Sequence, residues 1–394
     1  MRAGPAPALL VCANAMPVIG NRGFPELARA ASLPAADPGR AMTTGHERDL
    51  SGVVDVHAHV LLTDIEQAVR GLPELLVHQE RELASLGPES AAENVRMTMD
   101  RLPQLIDVGV RIEAMDAMGV AAQLVSVAPS QYHPWADRAR AVDLATQVNE
   151  GVAVHCAKAP DHLTGLGVAP LQHPNLMVDA LEHAVLGCAH KGVEVSTYAP
   201  EPSGSGVIEL SDRRLDPFWR RAEELDAVVF VHPFGCTVGT RLDRWYLANS
   251  VGQPMEHAIA LSHLIFGGVF DRHPDLKVLA AHGGGYLPSY AGRMDHAWAV
   301  RQDAHSCLQR PSSYLSRILV DSLVHDPAGL HALVERMGAG NVLLGSDWPF
   351  DMADDTPVDT LRAAGLDGEQ TRAVAGENAR RLGLAPAHRP TPAP

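Results

Sequence analysis

Eight short apolar runs, each set off by a helical pattern, restrict this chain more than any other feature. The runs are 53–57 (VVDVH), 121–127 (AAQLVSV), 163–169, 192–196 (GVEVS), 227–232 (AVVFVH), 276–282 (LKVLAAH), 317–321 (RILVD) and 341–347 (NVLLGSD). Helical patterns fill 137–158, 174–189, 213–225, 254–270, 286–302, 326–337 and 369–382, and an amphipathic segment at 111–119 precedes the second run. Strands alternating with helices predict parallel βαβ units, and near-continuous apolar strands predict burial on both faces. Eight such units in one domain predict an α/β fold of the (β/α)8, TIM-like barrel type. A doubly wound open sheet is the alternative, but no G-x-G-x-x-G follows the first strand. Residues 60–106 intervene between the first strand and the segment leading to the second, and predict a helical insertion capping the barrel mouth.

The domain is expected over 50–384, with 1–48 a disordered extension rich in Ala, Pro and Gly and 385–394 a Pro-rich disordered tail. The stretch from Met1 to Gly20 loosely imitates a secretion signal, but Pro5 and Pro7 interrupt its short apolar core. Met42 offers a second start close to the first strand. The formal net charge of −15 argues against nucleic acid or an anionic membrane as partner. It leaves room for an anionic small substrate, because a metal ion and a few Arg make a local positive pocket. No apolar run reaches the roughly 18 residues of a membrane span. Five Cys, scattered and without a C-x-x-C pair, fit a reducing cytoplasm better than a disulfide framework.

Polar side chains gather at the C-terminal ends of the predicted strands, where barrel enzymes do their chemistry. His57 and His59 stand two apart, so strand alternation aims both to one side. His232 ends the fifth strand, His282 ends the sixth before Gly283-Gly284-Gly285, and Asp347 ends the eighth. Each alone reads equally well as a structural residue; five at strand ends do not. An Asp at the end of an apolar strand is costly unless paired or bound to metal. Imidazole and carboxylate donors suit one divalent ion, Zn²⁺ foremost, and three His, one Asp and a water make an open catalytic site. His282 is the candidate acid/base beside the metal, and Asp347 a second proton acceptor.

Other residues carry blander readings. Tyr132, His133 and Trp135 follow the second strand and either line the pocket or pack that loop. Glu194 on the fourth strand reads as hydrogen-bonded within the barrel, with a second-metal ligand as the alternative. His325 is a further pocket candidate, His296 a packing or capping residue, and Cys236 a small apolar residue rather than a nucleophile.

These residues resemble the amidohydrolase superfamily, in particular its decarboxylase branch containing the aminocarboxymuconate-semialdehyde and resorcylate-type decarboxylases. The resemblance rests on VDVHAH at 54–59, RIEAMDAMGV at 111–120, VHPF at 231–234, LGSDWPF at 344–350, and the run from His282 through Gly283-Gly284-Gly285 to GRMDHAW at 292–298. It covers about 53–384. It implies a mononuclear metal site on His57, His59, His232 and Asp347, with His282 as catalytic His. The implied reaction is non-oxidative decarboxylation of a small unsaturated or aromatic carboxylic acid. It also implies that Arg293 holds substrate carboxylate across a homodimer interface, and that Trp245 lies near an aromatic gate. The second substrate-binding Arg aligns to Arg96 or Arg101. Two departures stand out: the fourth strand has Glu194 and no Lys for a bridged pair of metals, and Phe234 stands where relatives often have Trp. A metal-dependent hydrolase of a lactone, amide or ester is the alternative enzyme, and a silent scaffold on the same fold the alternative from another class.

Overall fold

The computed structural model describes residues 52–204 and 206–386. The expected extension at 1–48, with its signal-like stretch, and the tail from 387 onward lie outside the described residues. Ala385, placed in the tail by sequence, packs against a buried apolar cluster.

All eight predicted strands form, shorter than expected at most ends. They are β1 (Val54–Val60), β2 (Ala122–Val127), β3 (Leu163–Gly165, continued at Gly167–Val168), β4 (Gly192–Val195), β5 (Val228–Val231), β6 (Lys277–Ala280), β7 (Ile318–Asp321) and β8 (Val342–Leu343). Each pairs in parallel with the next. The last is tied to the first: the Val56 N–H donates to the Leu344 carbonyl at 2.9 Å and the His59 N–H to the Trp348 carbonyl at 2.8 Å.

Side-chain alternation sorts the strands' residues into two sets. Val54, Leu124, Leu166, Val228, Phe230, Leu279, Leu319 and Leu343 pack on one another in one buried cluster. Their neighbours Val125, Val193, Val195, Val229, Val278, Val320 and Val342 belong to a larger cluster shared with the helices. Burial on both faces is why these runs read as continuously apolar.

The insertion after β1 holds four helices, α1 (Thr63–Val69), α2 (Pro73–Leu86), α3 (Pro88–Asp100) and α4 (Leu102–Ile106). Three begin with Pro in the first turn, where its missing N–H costs nothing. Next come α5 (Val108–Met118), α6 (Arg138–Cys156), α7 (Met177–Glu182), α8 (Asp216–Glu224), α9 (Gln253–Phe266), α10 (Val269–Arg272), α11 (Leu287–Val300) and α12 (Pro327–Met337). The helix expected over 174–189 runs unbroken over 174–187, tighter at its start and wider over its last turn, whereas that over 254–270 breaks at Gly268, whose φ of 65° lies in the left-handed region. Elements not foreseen include a helix at Pro357–Ala363 and an antiparallel ribbon of Tyr198–Pro200 and Val207–Glu209 between β4 and α8. Pro202, Gly204 and Gly206 between its strands are the turn signal that marked it.

Candidate active site

The β1 strand carries a bulge that aims its histidines. Asp55 pairs with Gln123 but Ala58 pairs with Val125, so three steps on β1 match two on β2. An extra residue of this kind bends a strand and redirects side chains, and bulges recur beside active sites. His57 and His59 both turn into one cluster, their Nε2 atoms 3.1 Å apart.

Four of the sequence-derived residues come together. One donor atom from each of His57, His59, His232 and Asp347 lies within 4.8 Å of every other, and all four residues are buried. Asp347 Oδ1 is 3.3 Å from His57 Nε2 and 3.1 Å from His59 Nε2. Both ring nitrogens of His232 are buried without a hydrogen-bond partner among the described residues. Leaving buried polar atoms unpaired costs about 1–3 kcal/mol each. A divalent cation seated among three imidazoles and a carboxylate removes that cost, so the donor set fits a metal ion. His282 joins them, its Nε2 3.4 Å from Asp347 Oδ2 and its ring centroid 5.0 Å from that of His232.

The electrostatics match the geometry. Burial opposes charge on His57, but the Asp347 and Asp321 carboxylates push its pKa up to about 10. Burial also holds His232 well below the usual imidazole range, helped by the surrounding histidines. Asp347 is held well below the ordinary carboxylate range: burial works against it, and His57, His282 and His59 prevail. In the metal-free protein the carboxylates thus favour a proton on His57, and a bound cation would take that proton's place.

The backbone is strained where the chemistry sits. His282 and Asp347 have φ of 53° and 62°, a region that non-glycine residues enter at about 1–3 kcal/mol. Gly345 lets the β8 end approach β1 and β7, since a Cβ there would meet the Asp321 Cβ at 2.7 Å and the His57 Cβ at 3.0 Å. Beside it, Ser346 Oγ donates to Asp55 Oδ2 at 2.6 Å, and Asp55 also accepts from Gln123 Nε2 at 2.9 Å. Arg111, fully buried on α5, donates to Gln123 Oε1 at 2.9 Å and to the His59 carbonyl.

Two residues of this site were overlooked in the sequence. Asp321 ends β7 and bonds His57 Nδ1 at 2.7 Å. The signal was there, a carboxylate closing the apolar run RILVD, the same argument that singled out Asp347. His257 on α9 is buried with both ring nitrogens unpartnered among the described residues, its ring 5.4 Å from that of His282. A histidine inside a helix gives no such signal.

The remaining candidates fall elsewhere. Arg293 on α11 is exposed, with no hydrogen bond or ion pair among the described residues, and Trp245 is 82% exposed. Arg96 is exposed and paired to Glu93 and Asp100. Arg101 donates to the Pro349 and Phe350 carbonyls at 2.8 and 3.0 Å, fastening the loop after Asp347. His325 is exposed, and it is absent from the main cavity, as is Trp135. That cavity, about 230 Å³, is lined by Tyr132, His133 and Glu194, and also by Arg81 of the insertion, which the sequence reading passed over. Cys236 lines it too, its thiol pushed up to about 11 by burial, consistent with a small apolar role. Glu194 is fully buried at the end of β4, with Tyr132 and Ser126 of β2 as the neighbours that hydrogen bonding would engage. Burial raises its pKa to about 8.

This arrangement, parallel strands delivering three His and an Asp to one point, is that of the amidohydrolases. The amidohydrolase family model matches residues 54–382, and the chain belongs to that family, within its decarboxylase branch. It is 34% identical over 286 residues to the 2-amino-3-carboxymuconate-6-semialdehyde decarboxylase of Dictyostelium discoideum, covering 71% of this chain and 77% of the relative. It is 27% identical to a gamma-resorcylate decarboxylase of Rhizobium sp. (strain MTP-10005), covering 71% and 88%. In fold it is similar to the crystal structure of a dihydroxybenzoic acid decarboxylase from Polaromonas sp. JS666 with bound manganese and the inhibitor 2-nitroresorcinol. There the TM-score is 0.70 at 21% identity, with 84% of this chain and 96% of that chain covered.

Proposed function

We propose that the chain is a metal-dependent carboxy-lyase that decarboxylates a small aromatic or unsaturated carboxylic acid without oxidation. The observation that carries this is the convergence of His57, His59, His232 and Asp347 within 4.8 Å, with His282 alongside. In our reading the circuit of parallel strands is a (β/α)8 barrel, and α1 to α4 are a cap over its mouth. His57, His59, His232 and Asp347 would hold the ion, which when bound supplies a Lewis acid to polarise a substrate oxygen. The three-nitrogen, one-oxygen donor set suits Zn²⁺, and we take that as the native ion.

The reaction breaks one C–C bond. CO₂ leaves, the bonding electron pair stays on the substrate carbon, and that carbon takes a proton. His282 is placed to deliver the proton, because its Nε2 faces Asp347 and its ring is only partly covered. Asp347 orients the imidazole and balances its charge. Bidentate contact from Arg293 of a second copy would fix the substrate carboxylate, which makes the working unit a homodimer. A reducing cytoplasm suits the four described cysteines, all of them free, and no helix of the described residues is long and apolar enough to cross a membrane.

The deciding experiment measures CO₂ release from hydroxybenzoates and carboxymuconate-like acids against turnover of lactones, on protein of known metal content. Release of CO₂ dependent on about one divalent ion per chain is expected. Turnover of lactones without CO₂ release would assign the site to a hydrolase instead.

A further inference from the structure

Beside the metal-ligand cluster lies the cavity of about 230 Å³, walled by Tyr132, His133, Glu194 and Phe234 and by Arg81 and His78 of the insertion. Five polar atoms on three of these side chains are buried without a partner among the described residues. They are the Tyr132 hydroxyl, both His133 ring nitrogens and both Glu194 oxygens. One unpaired buried atom is a tolerable defect. Five on residues lining one cavity, at about 1–3 kcal/mol each, point to something that comes and goes.

The cavity adjoins the reacting region. Glu194 feels the charges of His57 and Asp347, and Tyr132 that of Asp347. Phe234 stands two residues beyond His232 and packs edge-on to Tyr132, ring centroids 6.3 Å apart. The carbonyl of Val195, next to Glu194, accepts the His232 N–H at 3.0 Å, so Glu194 stands at a strand end beside the cluster. The volume falls below the roughly 300–1,000 Å³ of pockets for drug-sized ligands, so it takes a compact group rather than a long chain.

We infer that this cavity is a specificity subsite for a hydroxyl group borne by the substrate away from its carboxylate, held between the Glu194 carboxyl and the Tyr132 hydroxyl. A hydroxyl is the group that both donates and accepts, and so satisfies an acceptor and a donor together. Lacking it, a substrate leaves these two buried groups with only each other, and sites built to bind a hydroxyl reject the analogue without it more strongly than apolar pockets reject an extra methylene. The inference rests on the carboxy-lyase reading only for the placement of the other end of the substrate.

The test uses metal-loaded full-length protein and nitrobenzene with its three hydroxy isomers and their methoxy counterparts, at about pH 6 where the phenols are protonated. The nitro group stands in for the carboxylate and cannot leave as CO₂, so binding is read by calorimetry apart from any chemistry. One hydroxy isomer is expected to bind at least about tenfold tighter than nitrobenzene, and its methoxy counterpart to lose that gain. Glu194→Leu and Tyr132→Phe are expected to bring the ratio to within about twofold with metal content kept, whereas Glu194→Gln, which like the protonated carboxyl both donates and accepts, should retain most of it. The subsite is refuted if no isomer exceeds about twofold, as in a pocket that holds only ordered water. It is equally refuted if Glu194→Leu and Tyr132→Phe weaken hydroxylated and parent ligands alike. Failure of CO₂ release from every acid, with the hydroxyl preference intact, would overturn the reaction assignment and leave the subsite standing.

Discussion

Asp321 Oδ2 lies 2.7 Å from His57 Nδ1 and accepts the backbone N–H of His282 at 2.9 Å. Its other oxygen accepts the N–H groups of Gly283 at 2.8 Å and Leu323 at 3.1 Å. One carboxylate from β7 thus fixes the tautomer of a candidate metal ligand on β1 and the position of the candidate acid/base after β6. With its Nδ1–H committed to Asp321, the His57 proton that a bound cation would displace is the one on Nε2, the nitrogen facing the cluster.

Asp321→Asn is expected to lower metal affinity by about 10–100-fold, the usual cost of losing a carboxylate behind a ligand histidine. Competition with a chromophoric chelator measures this. Unchanged affinity would mean that the contact is structural only.

His57→Ala and Asp347→Ala are expected to lose metal and activity together, because each removes one of four donors. His282→Ala should retain about one ion per chain and lose turnover by about 10²-fold or more, the scale of general acid–base assistance. Metal analysis beside CO₂ release separates the two classes. Normal turnover in His282→Ala would remove it from the mechanism.

Much of this was legible in the chain because the governing rules are local. Near-continuous apolar runs between helical patterns located all eight strands, and polar residues closing those runs located the candidate metal ligands and His282. What escaped depends on approach in space. Asp321 obeys the strand-end rule, but its partner is 264 positions away. The β1 bulge has no composition signature, since which residue goes unpaired is set by β2. His257 and Arg81 sit on helices, where only packing decides whether a polar side chain meets the site. Glu194 reads in the sequence as hydrogen-bonded within the barrel, and its full burial against the cavity could be learned only from its surroundings.

Glu194 sets a pH dependence of stability. Burial raises its folded pKa to about 8 from the ordinary 4.5, so the folded state holds a proton that the unfolded chain has released across that window. Stability from this group is full below about pH 4.5 and falls by about 1.4 kcal/mol per unit toward pH 8. Glu194→Gln in metal-free protein should therefore raise the melting temperature at pH 8 and change it little at pH 5. Equal shifts at both values would count against the assignment.

We propose the exposed side of α11 as the surface of a homodimer. Arg293 shares that helix with Tyr290 and Val300, which are 64% and 62% exposed. Sedimentation should give twice the 42.1 kDa chain mass, and Arg293→Ala should weaken substrate binding while leaving metal content intact. A fully active monomer would dismiss this interface.

Arg111 is a buried cation that stabilises the cluster from behind. It donates to Gln123 Oε1, which in turn places Gln123 Nε2 on Asp55, and to the His59 carbonyl, while its guanidinium lies 4.7 Å from the Trp348 ring. Burial lowers its pKa to about 10, still charged at neutral pH. Arg111→Ala removes the cation but strands the Gln123 and His59 oxygens and leaves Asp55 without its indirect counter-charge. A loss of about 3–5 kcal/mol is expected, the range for breaking a buried charged network. Arg111→Lys should recover little, because a single ammonium cannot reach both acceptors with the fork of a guanidinium. Urea unfolding of the metal-loaded protein measures both variants. A loss below about 1 kcal/mol in the alanine variant would place the support of β1 in apolar packing rather than in this network.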